Sequence, residues 1–192
     1  MSPRQPHRRA APARHCGLTL VELMMTLGIT AVLMSIAVPS MVTFIARKRV
    51  ANVANELASD LRYLRSVGLQ RSAPMQIEFN ANAAVNCYVV ASDSITGGAQ
   101  TCDCRLAAAC GADPGVPAVI KTVSLALGDG ITLSAVPVKT VFGSNGLPAG
   151  GATLLATVQS ARGGTVRVFT NQVGRPFVCS VAGQETNFPA CS

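Results

Sequence analysis

Between Glu22 and Arg47 the chain runs for 24 residues, Leu23 to Ala46, without one charged side chain. An apolar α-helix needs about 20 residues to cross the hydrocarbon core of a bilayer, so this stretch is a candidate span. No second run of this kind follows in the sequence, and the expectation is a single-pass chain. Glu22 stands at the mouth of the run. An ionisable group inside a membrane segment costs on the order of 2.5–3.5 kcal/mol, which makes it a functional candidate. The rival reading is an interfacial carboxylate turned to the headgroups. The residues just before Glu22 decide between the two.

Those residues read Cys16-Gly17-Leu18-Thr19-Leu20-Val21-Glu22-Leu23. The motif resembles the processing site of type IV pilins and type II secretion pseudopilins. The resemblance implies that a prepilin peptidase cuts after Gly17 and methylates the new N-terminus at Leu18. Phe is usual at that position. Glu22 is then the fifth mature residue, and Pro39 falls where these families carry a helix-bending proline. The resemblance also gives Glu22 an assembly role, pairing with the N-terminal amine of a neighbouring subunit. Two opposite charges a few ångströms apart in a low dielectric offset each other's desolvation, whereas either alone is penalised. The implied partners are the peptidase, other major and minor pilins or pseudopilins, the inner-membrane assembly platform and inner-membrane lipid.

Residues 1–17 form the expected leader. They contain Arg4, Arg8, Arg9 and Arg14, both histidines and no acid. Such a basic segment holds the N-terminus on the cytoplasmic side. Removing its four arginines from the 16 basic residues leaves 12 against nine acids, a net charge of +3 rather than +7. That reads as a mildly basic surface ahead of a nucleic-acid footprint. Arg47-Lys48-Arg49 would meet headgroups of the outer leaflet.

The helix is expected to continue beyond the membrane. Val50, Val53, Ala54, Leu57, Leu61, Leu64 and Gly68 recur at three- and four-residue spacing, with Arg49, Asn52, Asn55, Ser59, Asp60 and Arg62 on the other side. This is an amphipathic pattern with one buried face. Pro74 ends it, so one helix is expected from about Leu18 to about Gln70. After Pro74 the pattern changes to short β-type runs: Met75–Phe79, Val85–Ala91, Ala118–Leu127, Ile131–Val136, Lys139–Phe142, Thr153–Gln159, Thr165–Thr170 and Pro176–Ser180. Glycine-rich breaks separate them, as in an antiparallel sheet or small sandwich. The fold class is therefore α+β. A leader (1–17), a transmembrane and assembly helix (18–46) and its amphipathic continuation (47–73) precede a β-rich domain (74–192) with a cysteine-rich loop (92–117). Leu57 to Ser66, Val141-Phe142-Gly143-Ser144-Asn145-Gly146, Thr165-Val166-Arg167-Val168 and Gly174-Arg175 resemble the GspH/FimT family of minor pilins and pseudopilins.

Cys16 leaves with the leader. Cys87, Cys102, Cys104, Cys110, Cys179 and Cys191 remain, an even number in a chain expected in the periplasm, and read as disulfides. If Cys179 pairs with Cys191, two arrangements avoid a strained Cys102–Cys104 bridge: Cys87–Cys102 with Cys104–Cys110, or Cys87–Cys104 with Cys102–Cys110. A metal site is disfavoured, because Cys-x-Cys is not a zinc knuckle and no histidine survives processing. That lack of histidine also removes Ser-His and Cys-His nucleophile systems, and no phosphate loop is present, so neither an enzyme nor a cofactor is expected. Some FimT-like minor pilins bind DNA through a Gly-Arg-x-Arg element. Here it reads Gly174-Arg175-Pro176-Phe177, and Arg162, Arg167 and Arg175 are the candidate phosphate contacts. The expected function is a structural subunit of a type IV pilus or type II secretion pseudopilus, anchored in the inner membrane with its globular domain in the periplasm. The alternative is a DNA-binding minor pilin of a competence pilus.

Overall fold

The computed structural model describes residues 19–81, 86–92, 101–110, 118–125, 130–181 and 187–191. They fall into two units, 1–40 and 41–192. The first unit holds the early turns of helix α1, which runs over Leu20–Arg71. Its large apolar side chains, among them Leu20, Met24, Leu27, Val32 and Ile36, are exposed. The few hydroxyls in this stretch bond back to helix carbonyls: Thr26 Oγ1 to Leu23 O at 2.9 Å, Thr30 Oγ1 to Thr26 O at 2.7 Å, Ser35 Oγ to Val32 O at 2.7 Å. A hydroxyl satisfied within its own helix is compatible with an apolar surround. The helical backbone continues through Pro39, whose side chain lies outside the described residues.

In the second unit the character of α1 changes within one turn. Among the described residues Ala46 is the first buried one of α1, and Val50, Ala54, Leu57, Ala58, Leu61 and Leu64 continue the stripe to full burial. The helix stops at Arg71 with Ser72 in the left-handed region (φ 49°), one residue before the Ala73-Pro74 pair that cannot extend it.

Among the described residues eight strands follow: β1 (Met75–Ala81), β2 (Asn86–Ser92), β3 (Val119–Leu125), β4 (Ile131–Val136), β5 (Lys139–Phe142), β6 (Leu155–Ser160), β7 (Thr165–Thr170) and β8 (Pro176–Ser180). They form two antiparallel four-stranded sheets, ordered β3-β2-β1-β5 and β4-β6-β7-β8. β6 begins two residues later than its sequence pattern suggests, because the Leu154 N–H is taken by the Thr170 hydroxyl at 2.9 Å. The period of two selects the inward side chains. Met75, Ile77 and Phe79 of β1, Leu133 of β4, Val158 of β6 and Val168 of β7 join the α1 stripe in one core.

β2 departs from the alternation expected of a half-exposed strand: six of its seven residues are buried. Tyr88 and Val90 enter the main core, while Cys87, Val89 and Ala91 lie under the segment that carries Cys102, Cys104 and Cys110. The first sheet is therefore covered on both faces at β2.

One polar cluster fastens α1 to that sheet. The Tyr88 hydroxyl donates to Asp60 Oδ2 at 2.7 Å. Lys121 Nζ reaches Asp60 Oδ1 at 2.9 Å and Oδ2 at 2.8 Å, and Glu56 Oε1 at 2.8 Å. Burial, then the Asp60 hydrogen bond, pushes the Tyr88 phenol well above its ordinary range. Burial opposes the Lys121 charge, but Asp60 and Glu56 outweigh it and hold its pKa up. Both groups bind their proton more tightly when folded, so their stabilisation is complete below about pH 10 and declines as pH rises beyond it. Stability of the detergent-solubilised protein is expected to fall above about pH 10, and Tyr88→Phe to flatten that decline. At neutral pH the same substitution is expected to cost about 1–3 kcal/mol, since the buried carboxylate loses a donor. Denaturant unfolding across pH measures both effects.

Candidate functional site

Gly17 and Leu18 lie outside the described residues. Thr19 and Glu22 do not, and they form the start of α1. The Glu22 N–H donates to Thr19 Oγ1 at 3.3 Å, and the Leu23 N–H to Thr19 O at 3.1 Å. Thr19-Leu20-Val21-Glu22 is thus a capping-box sequence, with Thr at the cap and Glu three residues on. The spacing was readable in the sequence alongside the processing motif. It places the Glu22 carboxylate in the first turn, exposed, where the partial positive charge of the helix terminus favours an anion.

Twenty-five residues further along α1 lies the cation cluster. Lys48 Nζ sits 5.4 Å from the centre of the Phe44 ring. Arg47, Lys48 and Arg49 are all exposed, immediately beyond the point where Ala46 becomes buried.

The cysteines pair as Cys87–Cys104, Cys102–Cys110 and Cys179–Cys191. Of the two arrangements left open by the sequence, the second is the one adopted. Alternate side chains of β1, on the face opposite the core, explain how the loop is held. Gln76 Nε2 reaches Cys102 Sγ at 3.1 Å, Glu78 Oε2 accepts from Cys102 N–H at 2.7 Å, and Asn80 Nδ2 donates to Cys102 O at 2.9 Å. Three polar residues at i, i+2 and i+4 on one strand thus converge on one cysteine. Arg105, hydrogen-bonded beside Asp103, holds that carboxyl below its usual range and closes the exposed turn. The third bridge works at the other sheet. It fixes the C-terminal segment along β8, where Ser180 N–H donates to Pro189 O at 2.8 Å and Cys191 N–H to Ser180 O at 3.1 Å. Among the described residues no group of three or more His, Cys, Asp or Glu side chains has the arrangement of a metal site.

Arg162, Arg167 and Arg175 are exposed, but they line three different hollows. Arg162, in the turn before β7, borders Val42, Ile45, Ala46 and Arg49 of α1. Arg167, in the middle of β7, borders Phe169 and the Cys179–Cys191 bridge. Arg175, at the entry to β8, borders Arg62, Arg65, Ser66 and Leu69 of α1. Arg49 and Arg65 are 16 residues apart on one helix, which separates the first and last hollows by about 24 Å.

Arg62 and Arg65 are the functional candidates that sequence reasoning missed. Their three-residue spacing puts them on one side of a helix. Only the tertiary fold brings Arg175 to the same place, and two glycines do it. Gly146 (φ +70°) packs so closely on α1 that a Cβ there would lie 3.1 Å from both Arg65 Cγ and Leu69 Cγ. Gly174 (φ +73°) packs on Phe142 and on the Gly146 carbonyl in the same way. Asn171 then accepts the Arg175 N–H at 2.8 Å and sets the turn.

The Cys102 anchor yields a direct test. Glu78→Ala strands a buried N–H and is expected to destabilise the oxidised protein by about 1–3 kcal/mol. Glu78→Gln keeps an acceptor oxygen and is expected to cost less. Denaturant midpoints of the two variants give the comparison.

Comparison with known proteins follows the same division of the chain. Residues 12–38 match the prokaryotic N-terminal methylation motif. Residues 53–175 match the family of the type II transport protein GspH. No curated protein sequence matches the chain. Two crystal forms of the type IV minor pilin FimU of Pseudomonas aeruginosa strain PAO1 are similar in structure. In space group P21 the identity is 16% and the TM-score 0.49, over 72% of this chain and 97% of FimU. In space group P65 the identity is 13% and the TM-score 0.46, over 69% and 97%. With the GspH match covering most of its length behind a methylation motif, the chain belongs to the GspH/FimT family of minor pilins and pseudopilins.

Proposed function

We propose that this protein is a structural subunit of a type IV pilus or type II secretion pseudopilus, cleaved after Gly17 and assembled from the inner membrane. The observation that carries this reading is the change in α1 at Ala46. Before it the helix is apolar and exposed, and after it one face is buried in a disulfide-bonded domain. An apolar helix with no partner of its own needs lipid, or other helices, around it. In the bilayer the first half crosses the membrane and the domain lies in the periplasm, where the three disulfides form. In a filament the same half packs among equivalent helices, with Pro39 as the place where it bends. Prepilin peptidase, the other pilins and the assembly platform are the partners of this cycle.

The DNA-binding alternative has less support. A duplex is held by many phosphate contacts along a track, whereas Arg162, Arg167 and Arg175 line separate hollows. Pro176 also stands beside Arg175 and fills part of the nearest one. A mobility shift of duplex DNA by the detergent-solubilised protein, lost in the triple Arg→Ala variant, would favour that alternative.

Two outcomes test the main reading. Cleavage is expected between Gly17 and Leu18, and intact mass of membrane-extracted protein should show Leu18 at the N-terminus. A mature chain still carrying Arg14 or His15 contradicts the assignment. The second outcome concerns Glu22. Loss of hydration on leaving the headgroups is offset if the N-terminal amine of a neighbour becomes its partner. Glu22→Ala and Glu22→Gln are therefore expected to leave insertion, cleavage and domain stability unchanged while reducing incorporation into filaments. The ratio of protein in sheared filaments to protein in membranes measures this. Equal ratios for wild type and both variants would leave Glu22 as a helix-capping, interfacial residue.

A further inference from the structure

The hollow between α1 and the entry to β8 is lined by three arginines, Arg62, Arg65 and Arg175, with Ser66 beside them and Leu69 and Pro176 as apolar walls. Among the described residues none of the three has a carboxylate partner. The Arg65 Nε is shielded from solvent and has no hydrogen-bond acceptor. Buried donors of this kind are ordinarily satisfied. The stem of Arg65 is seated against Gly146, where a Cβ would lie 3.1 Å from its Cγ and 3.3 Å from its Nε. Three like charges held together by a rigid scaffold, one of them with an orphaned donor, describe a receptor for an anion.

We infer that this hollow is a docking site for an acidic side chain of a different protein subunit, a Glu or Asp carried on a segment that also covers Leu69. The inference rests on the reading of the chain as a filament subunit. Three features select this occupant. The arginines form a point, not a track: Arg162 lies about 24 Å away by the helix rise, so successive phosphates of a nucleic acid find no matching row. The surround is that of a protein interface, where arginine and aromatic residues are enriched, with Leu69, Tyr63 and Phe177 exposed nearby and Arg175 6.0 Å from the Phe177 ring. The described acids of a second copy of this chain are poor donors. Every described acid from Met41 onward is already engaged: Glu56 and Asp60 with Lys121, Glu78 with Cys102 N–H, and Asp103 with Arg105. The chemistry is a planar fork meeting a planar carboxylate, which arginine suits better than lysine.

The test converts one guanidinium into an amine that a zero-length carbodiimide can join to a touching carboxylate. Full-length Arg175→Lys and Arg62→Lys proteins are treated in native membranes and filaments, and the linked peptides are mapped by mass spectrometry. The expected product joins position 175 or 62 to one defined Asp or Glu of another pilin-family subunit. Adding Arg65→Met, which keeps the stem packed on Gly146 and removes only the charged head, should lower its yield about tenfold, the scale of a lost charge-assisted hydrogen bond. The native amine of Lys121, in contact with Glu56 and Asp60, serves as the reactivity control. Links from positions 62 and 175 only to acids of this same chain, or none while Lys121 reacts, would overturn the site, whatever the filament fraction shows. A link mapped to an acid of a protein outside the pilin family, with this chain absent from filaments, would keep the site and overturn the filament reading. Cross-linking abolished by duplex DNA but not by a scrambled neutral polymer would assign the hollow to phosphate and overturn the carboxylate proposal.

Discussion

Burial of one stripe of α1 is the constraint on which the domain depends. Val50, Ala54, Leu57, Leu61 and Leu64 have no exposed surface, and the side chains they meet come from both sheets. Neither sheet encloses a core by itself. The helix supplies the shared apolar surface, at roughly 25 cal/mol for each square ångström removed from water. The same helix is apolar on every side before Ala46, so a single continuous element serves two solvents. The change between them is written in one turn, where Arg47, Lys48 and Arg49 follow the first buried alanine.

Much of this was legible beforehand, for identifiable reasons. The stripe was readable because three- and four-residue spacing maps directly onto one face of a helix. Most of the strands were readable because glycine-rich breaks or prolines bounded them, and their described ends lie within a few residues of the pattern. At the start of β6 a side chain had intervened, the Thr170 hydroxyl at Leu154. The division of the strands into two sheets was not readable, since pairing between β1 and β5 joins residues more than 60 apart with no local signal. The complete burial of β2 also escaped. Its six buried residues depend on what the cysteine segment covers, and period-two reasoning assumes that one face meets water.

The candidate sites divide the same way. Glu22 could be singled out from the linear sequence because its processing motif is contiguous. The arginines could not be grouped correctly. Arg162, Arg167 and Arg175 are near one another in sequence but are spread along the length of β7 and its two turns. Arg175 has its true neighbours in Arg62 and Arg65, over a hundred residues earlier. Gly146 and Gly174 create that meeting by allowing two backbones to approach, and a close approach leaves no trace in hydropathy or charge. The glycines of the family-like segments thus act through geometry at the helix end.

The Cys179–Cys191 bridge carries a consequence for solubility. β8 is the last strand of its sheet, and an uncovered last strand offers its free amides and carbonyls to any extended chain that drifts past. Here the segment through Pro189 and Cys191 meets the end of that strand and occupies the Ser180 amide and carbonyl. A cover this short has few contacts of its own beyond these hydrogen bonds and Phe188 against the core. The covalent link makes the cover permanent once it has formed. The C-terminal end of β8 is thereby closed to pairing with an extended strand of a neighbouring chain.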